Sequence, residues 1–225
     1  MCPATTIFYV DQVDTARYVA YQNEHESPKL VEIIHELKEA GRWPWDFEIF
    51  IAIETPTPGT FMVNTIRQID VDGTDAASLT RAAMEGRGLA HELLKVMKEY
   101  FPGFGKAHLS RIFDHVGIRE TRRIAAREPI TLENALAGKH YDDCVASTTY
   151  NFDLPDPKRP SYDPMMGDAK KPNAVREHVR IEIPYGALLP RNMENLIVAG
   201  RCLGAEREVM GACRVMGPCA GMGQA

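Results

Sequence analysis

Four arginines lie close together in the middle of the chain, at positions 119, 122, 123 and 127. The pattern of residues 118–127, which ends before Pro129, predicts a helix, and the spacing would then place at least two of the arginines on one face. A guanidinium presents a planar fork of donors that suits a carboxylate or a phosphate. Because Gly117 permits close backbone approach, the cluster favours an anion site. The alternative is a surface helix in which Glu120 and Glu128 are the ion-pair partners.

A second group of chemistry-bearing residues lies in the C-terminal segment. Residues 196–199 form a short apolar run, which predicts a buried strand, and the run breaks at Gly200 into a glycine-rich stretch that contains arginines. Such a break is typical of a strand that ends at a loop over a ligand. Arg214 lies among glycines that allow close backbone approach, namely Gly211, Gly217, Gly221 and Gly223. Free N–H groups at glycine loops and helix N-termini bind anions, so this segment also predicts an anionic ligand.

The five cysteines, at positions 2, 144, 202, 213 and 219, are odd in number and contain no Cys-x-x-Cys pair. This spacing argues against a disulfide framework and against a tetrahedral zinc site. We expect most of them to be reduced residues that fill small spaces in the core.

Other residues leave two interpretations open. Trp43 and Trp45 flank a proline and form either a packed corner or an aromatic pair that faces a ligand. Tyr185 and Arg191 lie in a turn before the C-terminal segment, where a structural role and a functional role are both compatible with the sequence. A polysaccharide-active enzyme that uses Tyr185 or histidines as acid and base is a further alternative, but the spacing predicts no such cluster.

Composition limits the class of protein. The chain has 225 residues, 44% hydrophobic and 25% charged, as in soluble globular proteins. The formal net charge of −5 argues against a nucleic-acid surface or an anionic membrane surface. The sequence contains neither a signal peptide pattern nor a membrane-spanning run, so we expect a cytoplasmic protein.

The elements that must position these residues read as an α+β arrangement followed by the end of an α/β domain. The sequence predicts a strand at 5–10, followed by a helix from Ser27 and Pro28 to Gly41 with an apolar stripe of Leu30, Ile33, Ile34 and Leu37. Strands at 47–53 and 60–66 should form a hairpin, and a helix should run from Asp75 or Ser78 to Tyr100. A helix from Thr131 to Gly138 and an edge strand at 179–183 follow. Residues 153–173 are rich in proline and predict a surface excursion.

Four ordered motifs resemble those of the FAD-dependent oxidoreductases related to the heterodisulfide reductase A-like flavoproteins. The resemblance covers the chain from about Pro3. The motifs are Gly-x-Arg-Glu-Thr-Arg-Arg at 117–123, Ile-Pro-Tyr followed by Leu-x-Pro at 183–190, Asn-Leu-x-Val-Ala-Gly-Arg at 195–201, and Arg-Val-Met-x-x-Cys-x-x-x-Gly-Gln-Ala at 214–225.

The resemblance implies an FAD cofactor and a Rossmann-like FAD domain split in sequence around a substrate or cap domain. It divides the chain into a cap domain at 1–115, connecting helices with a proline-rich loop at 116–174, and the incomplete C-terminal part of the FAD domain at 175–225. Residues implied near the ribityl chain and phosphates are Gly200, Arg201, Cys202, Leu203 and Gly204. Residues implied at a helix start facing the flavin are Gly217, Cys219, Ala220, Gly223 and Gln224.

The resemblance also implies a reaction class. FAD would transfer hydride or electrons to or from a small organic substrate, and Arg119, Arg122 and Arg214 would orient an anionic one. An electron-transfer partner is possible, and nothing in the sequence specifies an oligomeric state. The iron–sulfur cluster of some relatives has no support in these cysteines.

The chain contains no complete Gly-x-Gly-x-x-Gly, the fingerprint of dinucleotide-binding domains. We therefore expect the C-terminal portion of such a flavoprotein. The alternative is a non-catalytic domain that cannot hold FAD alone and acts only with a partner or as part of a longer chain.

Overall fold

The structure, a computed structural model, describes residues 2–26, 29–158 and 179–225 and is a mixed α/β protein with antiparallel sheets. Its contacts divide the chain into two compact units. Among the described residues, the four-stranded unit comprises residues 3–26, 29–118 and 157–158, and the C-terminal unit comprises residues 2, 119–156 and 179–225. No helix in the described ranges combines the length and apolarity needed to cross a lipid bilayer.

The four-stranded unit is built on an antiparallel sheet of order β2-β3-β1-β4. Its strands are β1 (Ala4–Asp11), β2 (Ala52–Glu54), β3 (Phe61–Gln68) and β4 (His108–Ile112). The predicted hairpin is confirmed, although β2 is shorter than expected. The hairpin turn is closed by the N–H of Thr55, which donates to the carbonyl of Thr60 at 2.9 Å.

Three helices complete this unit: α1 (Thr15–Glu24), α2 (Val31–Glu39) and α3 (Ala76–Tyr100). The apolar stripe predicted for α2 is buried at Leu30, Ile34 and Leu37. Its predicted start at residues 27 and 28 lies outside the described residues. The predicted long helix is confirmed as α3, whose N-terminus is capped by the Asp75 carboxylate through the N–H groups of Ala77 and Ser78.

The core of the four-stranded unit is aromatic. Tyr18 packs edge-on against Phe50, Phe61 and Phe104. Trp43 is 2% exposed, and its Nε1 donates to the carbonyl of Phe47 at 2.6 Å. The tryptophan pair is therefore a packed corner, the first of its two interpretations.

The C-terminal unit has shorter elements. Its strands, β5 (Cys144–Thr148) and β6 (Ile181–Pro184), pair antiparallel, so the predicted edge strand is present. A 3₁₀ helix (Tyr185–Leu188) follows β6, and its Tyr185 packs against the apolar core, which supports the structural role. The helices are α4 (Leu132–Leu136), capped by the Thr131 hydroxyl as predicted, α5 (Arg207–Cys213) and α6 (Met216–Gln224).

The predicted helix at 118–127 is wrong: residues 119–125 have no regular secondary structure, and Ala126 forms only an isolated bridge with Pro190. The reason lies in the backbone donors. The N–H of Ile124 donates to Cys202 at 3.0 Å and that of Arg127 to Leu189 at 2.9 Å. Since these N–H groups bond to distant segments, they are not available for bonds to the residue four positions earlier.

The predicted buried strand at 196–199 is also wrong in the described structure. This segment has no strand assignment, and Leu196 and Ile197 are 39% and 57% exposed. A strand requires a ladder of hydrogen bonds, but here the N–H of Val198 bonds to Leu188 without a ladder around it. The Rossmann-like character of this unit therefore stays a prediction. Most of the proline-rich excursion, residues 159–173, lies outside the described residues.

Candidate functional site

Helix α5 is held at both ends by ion pairs. At its first residue, the Nε of Arg207 donates to Glu120 Oε1 at 3.1 Å. The same oxygen accepts the backbone N–H of Cys2 at 2.7 Å, and the Glu120 side chain is buried. Burial opposes ionisation of Glu120, but the Cys2 N–H and the Arg207 guanidinium outweigh it and hold its pKa below the ordinary value. Glu120 is thus a buried carboxylate that links the irregular segment at residues 119–125 to α5.

At the other end of α5, Arg214 binds the segment before the proline-rich stretch. Its Nη2 donates to the carbonyl of Asp153 at 2.7 Å and to the Asp153 carboxylate at 3.0 Å. The approach is close because Gly211 has no side chain: a Cβ there would lie 2.8 Å from the Asp153 nitrogen. The predicted close approach at Gly211 therefore serves the chain's own backbone.

Arg119 lies close enough to Arg214 for the two guanidinium groups to repel each other. The pKa of Arg119 is lowered, first by burial and second by the charge of Arg214. Asp153 acts in the opposite sense. The buried Nε of Arg214 also has no hydrogen-bond partner among the described residues. This is an arrangement that favours an anion.

Sequence reasoning missed two residues of this cluster. Asp153 stands at the start of the proline-rich stretch, and Tyr150 stands in a segment that shows no motif. Burial raises the pKa of Tyr150, the Asp153 carboxylate raises it further, and the two arginines oppose the shift. Tyr150 is therefore a neutral hydroxyl beside the arginine pair at neutral pH. No local signal in the sequence would have identified either residue.

The structure does not bring together all three arginines that the resemblance assigns to anion binding. Arg119 and Arg214 come together, whereas Arg122 is exposed. Arg119 is half-buried, whereas Arg122 lies three residues further along a segment without regular secondary structure, with its side chain in solvent. The Nη1 of Arg123 lies 4.0 Å from Glu120 Oε2, so Arg123 belongs with the Glu120–Arg207 ion pair at the start of α5.

The start of α6 is an open helix N-terminus. Its N-cap residue, Val215, makes no side-chain capping bond, and Met216 is 89% exposed. A Cβ added at Gly217 would meet no atom within 4 Å. The first-turn N–H groups of a helix have no acceptor within the helix, so Met216 and Gly217 present two donors and the positive end of the helix dipole to an open surface.

A tight turn lies beside this helix. Gly200 has φ +85°, which glycine adopts without strain, and its carbonyl accepts the N–H of Leu203 at 3.2 Å. Arg201 is exposed in this turn, whereas Gly200 and Cys202 are half-buried. Leu203 is fully buried in the core, and a Cβ at Gly204 would lie 2.1 Å from the Cβ of Ala126. Leu203 and Gly204 therefore pack against other parts of the protein.

The residues that were predicted to face the flavin from the start of α6 lie at different places along this helix. Gly217 and Cys219 lie in its first turns, with Ala220 following, whereas Gly223 and Gln224 lie in its last turn and not at its start. A helix rises about 1.5 Å per residue, so the last turn is on the order of 9 Å from the open N-terminus. Among the described residues, no group of three or more histidines, cysteines or carboxylates is arranged to hold a metal ion.

The comparisons with known proteins agree with the motifs. The model of the family described as FAD dependent oxidoreductase matches residues 2–225. No curated protein and no solved structure matches the chain. Because the family model spans almost the whole sequence, the chain belongs to the FAD-dependent oxidoreductase family.

Proposed function

We propose that this protein is a flavoprotein oxidoreductase of the heterodisulfide reductase A-like type that acts on a small organic anion. The observation that carries the anionic substrate is the Arg119–Arg214 pair, in which two guanidinium groups repel each other and the buried Nε of Arg214 lacks a partner among the described residues. FAD, when bound, supplies the transfer of hydride or electrons. The residues of this chain would bind the substrate, orient it and exclude water from it.

The residues around the start of α6 fit part of a flavin site. The uncapped N-terminus offers two N–H donors, and Gly217 leaves their surface open. Negative charge on a ligand at this place is favoured by the helix dipole. The neighbouring turn at Gly200 adds the Arg201 guanidinium. We assign Gly200, Arg201, Gly217 and Cys219 to this region, and leave Gly223 and Gln224 outside it.

The arginine pair would orient the substrate. A carboxylate of a small organic acid would offset the repulsion between the two guanidinium groups, and the Nε of Arg214 would gain the acceptor that it lacks. Such charge-assisted hydrogen bonds are worth about 1.5–3 kcal/mol each. The resulting site prefers a carboxylate to a neutral compound of the same shape.

The second candidate is a non-catalytic chain that holds FAD only with a partner or within a longer protein. The absence of a complete dinucleotide fingerprint in this sequence favours it. In this case the electron-transfer partner and the adenosine-binding half of the site would lie on other residues.

The deciding experiment is an FAD titration of the purified chain, followed by flavin fluorescence and then by gel filtration with detection in the visible range. Flavin bands that co-elute with the protein support the oxidoreductase. A colourless protein in the presence of excess FAD supports the non-catalytic alternative and rules out activity of the chain by itself.

A matched pair of variants locates the flavin. Gly217→Val places a side chain at the open start of α6, where it meets no protein atom, and should weaken FAD binding at least tenfold without unfolding. Gly88→Val makes the same change at an open helical position in α3 and should leave binding unchanged. Equal effects of the two variants would remove α6 from the proposed site.

A further inference from the structure

Two half-buried cysteines of the C-terminal unit lie against the same peptide unit. The Sγ of Cys202 donates to the carbonyl oxygen of Ala199 at 3.5 Å. The Sγ of Cys219 lies 3.9 Å from the position that a Cβ on Gly200 would occupy. Because Ala199 and Gly200 share one peptide bond, the two sulfurs border the same few atoms. Cys202 belongs to the turn, and Cys219 belongs to α6.

The electrostatics of Cys219 agree with this geometry. Burial raises the pKa of its thiol, the Arg201 guanidinium lowers it, and the thiol of Cys202 raises it. The influence of Cys202 shows that the two side chains lie within electrostatic range of each other. The backbone between them is compact, because the turn that carries Cys202 begins at Gly200, where no side chain separates the turn from Cys219.

The other cysteines are less suited to exchange chemistry. Cys213 is fully buried, and burial raises the pKa of its thiol to about 12. Cys2 is buried as well, which raises the pKa of its thiol to about 11. Thiol–disulfide exchange requires an accessible thiolate, so neither reacts readily at neutral pH. Cys144 is half-buried on β5, and its Sγ lies 3.2 Å from the carbonyl of Ala146.

We propose that Cys202 and Cys219 are a redox-active pair, which exchanges with low-molecular-weight disulfides and forms a reversible disulfide between the Gly200 turn and α6. Both residues are thiols in this structure. The S–H of Cys202 bonds weakly to the carbonyl of Ala199 and that of Cys219 to the carbonyl of Arg214, so little stabilisation is lost when rotation about the Cα–Cβ bonds turns the sulfurs. The proposal does not depend on FAD.

The exchange balances with oxidised glutathione as the oxidant. The Cys202 thiolate attacks one sulfur of glutathione disulfide, breaks its S–S bond and releases one glutathione thiolate. The Cys219 thiolate then attacks the mixed disulfide at the Cys202 sulfur and releases the second. Two protons and two electrons leave the protein, and glutathione disulfide is reduced to two thiols.

The test is a thiol count in glutathione buffers that range from fully reduced to fully oxidised. The full chain is equilibrated in each buffer, quenched with acid, and labelled under denaturing conditions with a maleimide that adds mass. We expect two of the five thiols to disappear together as the buffer becomes oxidising, and to return when reduced glutathione is restored.

Tryptic mapping assigns the link, because cleavage after Arg201, Arg207 and Arg214 places Cys202, Cys213 and Cys219 on three separate peptides. The expected product joins peptides 202–207 and 215–225. Cys202→Ser and Cys219→Ser should each abolish the link and leave a glutathione adduct on the remaining thiol. Cys144→Ser should leave the link intact.

Three results would overturn the proposal. They are a link that involves Cys144 or Cys213, mixed glutathione adducts on the unaltered chain with no internal link, and five free thiols in fully oxidised buffer. Far-ultraviolet circular dichroism of each serine variant checks that it is folded, so that a loss of the link is assigned to chemistry.

Discussion

At the scale of single residues, the proposed anion site depends on the position of Arg214. Its side chain is 11% exposed and bonds to Asp153, yet its Nε is buried without a partner among the described residues. A buried donor without an acceptor costs about 1–3 kcal/mol. In the proposed function, an acceptor group of the ligand would offset this cost.

The first prediction concerns this donor. Arg214→Gln removes one charge and the fork of donors, and should weaken the binding of a small carboxylate such as succinate about 10- to 100-fold, measured by calorimetry on the purified chain. Arg87→Gln, an exposed arginine on α3, is the matched control and should have no effect.

The same titration separates two hypotheses about the arginine cluster. Arg122→Gln should behave like the control if the site is the Arg119–Arg214 pair. An effect as large as that of Arg214→Gln would restore the three-arginine site that the sequence predicts, and would contradict the exposed position of Arg122.

At the scale of elements, glycine sets how closely α3 approaches β1. A Cβ on Gly86 would lie 2.0 Å from the Thr6 hydroxyl oxygen and 3.0 Å from Gln68 Oε1. Those two side chains are tied by a hydrogen bond of 2.8 Å, so neither can move aside without losing it. The helix therefore rests on the sheet at the distance that a glycine allows.

The second prediction follows from this contact. Gly86→Ala should lower the free energy of unfolding by about 1–3 kcal/mol through overpacking, measured by urea denaturation. Gly88→Ala, two positions along the same helix and open to solvent, should raise it by about 0.5–1 kcal/mol, because alanine is the better helix former. Changes of the same sign would contradict the packing argument.

At the scale of the whole molecule, carboxylates that are ionised by their surroundings set the response to acid. The pKa of Glu120 is lowered as described above. That of Glu182 is lowered by the N–H of Tyr141, and that of Glu48 by its bond to Lys38. In the unfolded chain these carboxyl groups have the ordinary pKa of 4.5. As the pH falls, the unfolded chain therefore binds protons at a higher pH than the folded chain does.

The third prediction is a loss of stability in acid. The contribution of these carboxylates is complete above pH 4.5 and disappears as the pH falls through the lowered pKa values of the folded state. Urea denaturation between pH 7 and pH 3 should show this decline. Glu120→Gln should be less stable at pH 7 and decline less steeply, whereas Glu85→Gln, on the exposed side of α3, should keep the full slope.

Elements that depend on near neighbours were predictable from the sequence. The cap at Asp75 and the length of α3, the cap at Thr131, the apolar stripe of α2 and the hairpin all rest on contacts within a few residues or on simple alternation. The family was also encoded locally, in four short motifs that lie in a fixed order. These elements and the family motifs can both be recognised without knowing which distant segments are in contact.

Only the tertiary structure decided the conformation of residues 118–127 and the composition of the site. A helical pattern there lost to hydrogen bonds with Cys202 and Leu189, and the apolar run at 196–199 found no ladder to join. Asp153 and Tyr150 reached the arginine pair through contacts across more than thirty positions in sequence, about which local pattern carries no information. Propensity acts between neighbours, whereas burial and the pairing of charges depend on which distant segments the fold brings together.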